Sequence, residues 1–226
     1  MDYSSAPAAP RALGSKKDYL LGLVAGLIIG LLCLPILKSA QPALYERLWI
    51  FVVPFFALGV PIGLIVASWI ARFVSLVWQL AKFLVIGAMN TLVDLGVLAF
   101  ITAVTAGATL SSDHTWFTAA TLVVTYYSLY KGISFIIANI NSYFWNKHWT
   151  FHSRETEKAS TQFLQFFLVS IIGFAVNVVV ASAIFTSFGS NGLFSVAQWG
   201  LIGAACGSVG SLIWNFIGYK FFVFKK

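Results

Sequence analysis

Lys82-Phe83-Leu84-Val85-Ile86-Gly87-Ala88-Met89-Asn90-Thr91-Leu92-Val93-Asp94 encloses eleven uncharged residues between a lysine and an aspartate, and the apolar run continues to Thr105. Phe83–Thr105 is long enough to cross roughly 30 Å of hydrocarbon, which takes about 20 apolar residues as a helix. At 1.5 Å per residue Asp94 lies about 18 Å beyond Lys82. A carboxylate at that depth costs roughly 2.5–3.5 kcal/mol on insertion scales, so it is expected to face the bundle interior and to have a partner. The stretch therefore reads as a membrane-spanning helix with one functional or structural charge inside it.

Five more segments of this kind flank it. They are about Tyr19–Leu37, Trp49–Ala71, a fourth span starting between Phe117 and Tyr127 and ending near Trp145, Phe163–Phe188 and Val196–Gly218. Phe73–Ala81, with Trp78 and Gln79, reads as an amphipathic piece in the interface. The first segment has a basic flank, but its apolar run exceeds the 7–15 residues of a signal peptide, so it reads as a retained helix. Long apolar runs without alternation point to helices and exclude an outer-membrane barrel. The composition agrees. Of 226 residues 59% are hydrophobic and 9% charged, with a mean hydropathy of +0.88. Soluble domains carry about 25% charge, so a soluble enzyme, a disordered chain and a disulfide-stapled module are excluded. Cys33 and Cys206 both lie in apolar stretches and read as small buried hydrophobes. The expected fold is all-α, a polytopic bundle of six transmembrane helices.

The net charge of +7 follows topology, not nucleic-acid binding. With the N-terminus in the cytoplasm, Arg11, Lys16, Lys17, Arg72, Lys82, Lys147, Arg154, Lys158, Lys220, Lys225 and Lys226 all lie inside. Only Lys38 and Arg47 lie in the first outer loop, and the outer stretches Gly107–Thr115 and Gly189–Ser195 carry no Lys or Arg. The positive-inside rule then fixes both ends in the cytoplasm of a cell-membrane protein.

The last two-thirds of the chain read as one two-helix unit written twice. Phe83 and Phe166 are 83 residues apart, as are Asp94 and Asn177. At the other end Ser142-Tyr143-Phe144-Trp145-Asn146-Lys147-His148-Trp149-Thr150-Phe151 matches Asn215-Phe216-Ile217-Gly218-Tyr219-Lys220-Phe221-Phe222-Val223-Phe224, with the Lys, Trp149/Phe222 and Phe151/Phe224 pairs each 73 apart. Two hairpins starting from the same side make a parallel repeat. The opening Phe83–Asp94 and the closing Asn146-Lys147-His148-Trp149-Thr150-Phe151 resemble the GtrA-like family of small four-helix membrane proteins, over about Gln79 to Lys226. The resemblance implies cell-surface polysaccharide synthesis and movement of polyprenyl-phosphate-linked sugars across the cytoplasmic membrane, beside a glycosyltransferase. The domains are then 1–18, a cytoplasmic tail; 19–78, a two-helix extension with the interfacial piece; and 79–226, the four-helix domain, with repeats of about 79–151 and 162–226. The extension is absent from the minimal family domain and reads as a docking element.

Candidate substrate-binding residues follow from charge and depth. Lys147 and Lys220 stand at cytoplasmic span ends, with Trp149, Phe151, Phe222 and Phe224 at the same level. They read either as a phosphate clamp bordered by aromatics or as positive-inside anchoring with an aromatic belt. Lys131 is 16 residues before Lys147, about 24 Å up the helix and so within some 6 Å of the depth of Asp94. Asp94 and Lys131 are expected to pair, as part of a sugar-phosphate path or as a helix tie, or else Asp94 is protonated with Lys131 at the outer surface. Asn90 and Asn177, with Asn139, Asn141 and Asn215, either tie helices or meet sugar hydroxyls. Gly203, Gly207 and Ser211 form a close-packing face for the fold or an oligomer. His114, His148 and His152 show no metal spacing, Glu155 and Glu157 read as solvated, and there is no nucleotide loop or catalytic set. The expectation is no enzyme, no catalytic residue, no metal and no cofactor.

Three functions remain open: a flippase for a polyprenyl-phosphate-linked monosaccharide, a non-transporting scaffold that recruits a membrane glycosyltransferase, and a small proton-coupled transporter using Asp94. Expected partners are the lipid-linked sugar, membrane lipid, a glycosyltransferase and a second copy of the chain, with no nucleic acid. The topology is directly testable. A reporter fused after Lys226 should read as cytoplasmic, and a cysteine at Ser190 should react with an impermeant maleimide from outside. Labelling of position 190 from the cytoplasm alone would reverse the orientation.

Overall fold

The computed structural model describes residues 14–106, 114–119, 122–153, 159–188 and 196–224. The outer stretches Gly107–Asp113 and Gly189–Ser195, the inner residues Arg154–Lys158, Arg11 and the terminal Lys225 and Lys226 lie outside this description. The order is α1 (Lys16–Ala40), α2 (Pro42–Ile70), α3 (Leu76–Thr105), β1 (Thr115–Ala119), β2 (Leu122–Thr125), α4 (Tyr126–Trp145), α5 (Ala159–Phe188) and α6 (Val196–Gly218). The protein is all-α in architecture, with one short β-hairpin. Among the described residues α1, α2, α3 and α5 are long and apolar enough to cross a membrane.

The hairpin resolves the ambiguous start of the fourth span. Thr115-Trp116-Phe117-Thr118-Ala119 and Leu122-Val123-Val124-Thr125 are rich in β-branched and aromatic residues, which suit an extended ladder. Phe117 faces Val124 and Ala119 faces Leu122 in antiparallel register, with a bulge beside Thr115. The Tyr126 amide donates to His114 O at 3.0 Å, closing the ladder where α4 begins. Phe73–Ala81, read as a separate interfacial piece, is divided otherwise: Leu76 onward is the start of α3, which runs unbroken to Thr105.

Packing divides the chain within α4, into Met1–Ala138 and Asn139–Lys226. In the first unit α1, α2 and α3 pack together, so α3 joins the two preceding helices. The Lys82–Asp18 pair joins α3 to α1, and a glycine ladder on α1 holds it on α2. Gly26 lies against the Phe56 carbonyl and Gly30 against the Val53 backbone, so closely that a Cβ would clash at either position. Gly22-x-x-x-Gly26-x-x-x-Gly30 is the small-residue spacing that lets membrane helices approach backbone to backbone. Ser15 starts α1 with a capping box: its hydroxyl accepts from the Asp18 amide at 3.2 Å, and Asp18 Oδ2 accepts from the Ser15 amide at 3.0 Å.

The second unit repeats the device in α5 and α6. Gly203 packs on the Ala181 carbonyl at a spacing that excludes a Cβ, and Gly207 does so on Asn177 O. The small-residue face of α6 therefore serves the α5–α6 hairpin. Both α4 and α6 end in a π-helical turn, Asn146–Thr150 and Tyr219–Val223. The Phe151 amide donates to Asn146 O at 2.9 Å and the Phe224 amide to Tyr219 O at 2.8 Å, each five residues back. The turns stand 73 residues apart, at matching positions of the repeat.

Overpacking the glycine contacts tests this account. Gly26→Val and Gly207→Val should each destabilise the protein in detergent by about 1–3 kcal/mol. Gly59→Val should be near neutral, since no atom lies within 4 Å of a Cβ there. Thermal unfolding of the three variants makes the comparison.

Candidate functional site

Three polar clusters interrupt the apolar helices. In the first unit Lys131 Nζ of α4 forms an ion pair with Asp94 Oδ2 of α3. Ser134, fully buried one turn along α4, donates from Oγ to Asp94 Oδ1 at 2.6 Å. Its hydroxyl also lies 3.0 Å from Lys131 O, a second acceptor for the same proton. Asp94 thus accepts from two groups of α4, as a carboxylate inside a span must. The Lys131 side chain is 42% exposed and that of Asp94 19%, so the lysine is the more accessible member of the pair. Asn90, one turn before Asp94 on α3, keeps its Oδ1 buried with no hydrogen bond. The structure brings Asp94 and Lys131 together, and Ser134 is the member that sequence reasoning missed. Its signal was the spacing Lys131-x-x-Ser134, which puts both side chains on one face of a helix.

A second ion pair in the same unit was not foreseen. Lys82 Nζ lies 3.3 Å from Asp18 Oδ1, with Lys82 only 1% exposed. The ammonium also sits 5.1 Å from the Trp78 ring centroid, and Trp78 packs edge-on to Tyr19 at 6.2 Å. Tyr19 Oη donates to Ser68 Oγ at 3.2 Å. These contacts fasten the first turns of α1 to α2 and α3. Lys82 had been counted as an inward-facing topology signal, which hid its use on Asp18.

The third cluster fills the end of the second unit, and it is built from the closing motifs of both repeats. Phe151 and Phe224, equivalent positions, stack on each other at 5.2 Å and 20°. Each also packs on the ring that starts the other copy: Tyr143 on Phe224 at 5.9 Å, Phe216 on Phe151 at 6.0 Å. The lysines obey the same symmetry. Lys147 Nζ is 5.4 Å from the Tyr143 ring and Lys220 Nζ 5.8 Å from the Phe216 ring. Aromatic faces hold cations in this way. Lys147 is 4% exposed and donates to Tyr143 Oη at 3.2 Å, which in turn donates to Gln162 Oε1 at 2.8 Å. Trp149, Phe151 and Phe224 are buried in the core. Phe222 is the exception at 59% exposed. Lys220 is half-buried. The sequence had placed these rings together at the membrane level, either as a border for lipid or sugar or as an aromatic belt; here three of the four pack inside the protein. The π turns account for this, since one extra residue per turn re-aims the side chains after the lysine. Asn177 donates from Nδ2 to Ser208 Oγ at 3.4 Å, a contact between α5 and α6. Among the described residues no group of three His, Cys, Asp or Glu gathers to hold a metal.

The family description "GtrA/DPMS, transmembrane domain" matches residues 82–224. The chain belongs to the GtrA/DPMS transmembrane family. No curated protein and no solved structure gave a match. Membership makes the chain a multi-pass membrane protein and ties it to lipid-linked sugar translocation in general. The GtrA/DPMS match runs from Lys82, inside α3, to Phe224, just after the second π turn. The Lys131–Asp94 pair and both closing motifs fall within it, while Asp18 and the glycine ladder of α1 do not.

The Lys82–Asp18 tie is testable as a buried pair. Lys82→Met alone strands the carboxylate and should cost about 3–5 kcal/mol of stability, whereas Lys82→Met with Asp18→Leu should recover much of it. Denaturation in detergent micelles compares the two. Equal loss in both would show that the charges do not act on each other.

Proposed function

We propose that this chain is a translocator of a polyprenyl-phosphate-linked monosaccharide, serving cell-surface polysaccharide or glycan modification. It crosses the cytoplasmic membrane six times with both ends inside, α4 and α6 supplying the two spans beyond the four that length and hydropathy mark. The observation that carries this reading is the Lys131–Asp94 pair: a partly exposed lysine within apolar helices of a family tied to lipid-linked sugars. A phosphate is an oxyanion like the carboxylate, and it binds Lys131 beside Asp94 or in its place. On exchange Lys131 keeps an anion in both states, while Asp94 keeps only the Ser134 hydroxyl. The Ser134 hydroxyl holds Asp94 meanwhile. Asn90 Oδ1, an acceptor without a donor, suits a sugar hydroxyl.

The closing motifs divide by accessibility. Lys220, half-buried, and Phe222, exposed, are open enough to meet the headgroup at the cytoplasmic surface. Lys147, Trp149, Phe151 and Phe224 hold the hairpin end together instead, and Asn177 ties α5 to α6. The reading involves no catalytic step. A glycosyltransferase that charges the lipid on the cytoplasmic side is the fitting partner, and a homo-oligomer is compatible with it.

Reconstitution tests this. Liposomes carrying the protein and a polyprenyl-phosphate sugar should expose the sugar to an outside reagent faster than empty liposomes. Lys131→Met should slow that exposure about tenfold or more, since charge-assisted hydrogen bonds contribute about 1.5–3 kcal/mol. No acceleration by the unmodified chain favours the scaffold that recruits the transferase. Loss of movement with retained lipid binding in Asp94→Asn favours proton coupling.

A further inference from the structure

The β-hairpin before α4 carries an aromatic pair that takes no part in the three polar clusters. Adjacent residues of a regular strand point to opposite faces. The bulge beside Thr115 breaks that alternation, and the Trp116 and Phe117 rings meet edge to face at 5.2 Å. Both rings therefore stand on one side of the strand. They are 50% and 44% exposed, and Thr115 and Thr118 on the same strand are exposed as well. We propose that this hairpin docks on the outer surface of the bilayer, with Trp116 and Phe117 inserted at the level of the lipid headgroups and Thr118 turned to water. The inference rests on the reading of α4 as a membrane span given above, and adds a lipid-docking surface at its outer end.

The chain sets the depth. β2 ends at Thr125 and α4 begins at Tyr126 with no linker between them, and the Tyr126 amide donates to His114 O at the start of β1. The base of the hairpin is thus fixed to the first residue of α4. The 20 residues of α4 cover about 30 Å, which is roughly the thickness of the hydrocarbon. With Lys147, just past the end of α4, at the inner boundary, Tyr126 reaches the outer one. Tyr127 beside it is 50% exposed. Tyrosine and tryptophan gather at this level, where one part of the ring meets apolar matter and the other meets water.

Chemistry selects the same layer. The sheet has two strands, so among the described residues each strand leaves one edge of backbone N–H and C=O groups unpaired. Hydrocarbon has no partners for such an edge, which keeps the hairpin out of the membrane core. The headgroup layer offers hydrogen bonds to the edge and apolar contact to the two rings at once. A second copy pairing along the edge would cover the backbone and leave the rings open. Residues 114–126 contain no Lys, Arg, Asp or Glu, so the surface fits lipid without selecting its charge. Lys131 lies five residues beyond Tyr126, about 8 Å along the helix. A docked hairpin therefore holds that lysine a short reach below the outer headgroups.

The test is photolabelling of the unmodified full chain in phosphatidylcholine nanodiscs, with two phosphatidylcholines that carry a diazirine either beside the glycerol or at the acyl end. The glycerol-level probe should mark residues 114–119. The acyl-end probe should spare them and mark 133–137, where Ile133, Ile136 and Ile137 are exposed. On a Cys33→Ala, Cys206→Ala background, Phe117→Cys should react with an aqueous maleimide about tenfold more slowly than Thr118→Cys, the factor that about 1.4 kcal/mol of insertion confers. A hairpin marked by neither probe lies in water or against protein, and one marked equally by both lies in hydrocarbon; either result overturns the proposal, as do equal rates at 117 and 118. The photolabel on the unmodified chain decides even where a cysteine variant does not fold. Marking of 133–137 beside an unmarked hairpin removes the hairpin proposal alone, whereas absence of marking at both removes the span as well. Neither readout depends on sugar movement.

Discussion

Hydrocarbon offers no hydrogen bonds, so every polar group in this chain's apolar helices must find its partner in the protein, the substrate or the headgroup layer. That constraint accounts for each cluster described. Asp94 is held by Lys131 and Ser134, and Lys82 by Asp18 and the Trp78 ring. Lys147 rests on Tyr143, which passes a hydrogen bond to Gln162. The polar residues are few, and most of them join two helices. Among the described residues Asn90, Asn141, Asn146, Thr150 and Asn215 each keep a buried polar atom unmatched, and the one at Asn90 stands a turn from Asp94.

The helices come together by two mechanisms that leave different marks. Glycines bring α1 onto α2 and α6 onto α5, through backbone contact that needs no charge. Ion pairs join α3 to α1 and α4 to α3, at defined points along otherwise featureless surfaces. Dispersion and close approach give strength within each hairpin, while the charges fix which helix meets which and in what register.

Much of this was legible in the sequence. Six helices came from apolar run lengths, because the cost of an exposed backbone in lipid leaves little choice. The repeat came from the 73- and 83-residue spacings, and the Asp94–Lys131 pair from matching two depths along helices of fixed rise. Other features were not legible. Tyr126 as the start of α4 depends on a β-hairpin whose residues are apolar enough to pass for a span. The partnership of Lys82 with Asp18 joins residues 64 apart, each with a sufficient local explanation. The burial of Trp149, Phe151 and Phe224 depends on one extra residue in a helical turn, which composition does not reveal. The small-residue face of α6 was visible as spacing, yet the helix it packs on was not, and the ladder of α1 emerged only from the packing.

The paired π turns carry a consequence for how the two hairpin ends meet. Each turn takes one extra residue at the same place of its closing motif, around Lys147 and Lys220. Because both ends are offset equally, equivalent rings come face to face, and Phe151 stacks on Phe224 at 5.2 Å. A shift in one turn alone would leave each phenylalanine opposite the wrong neighbour.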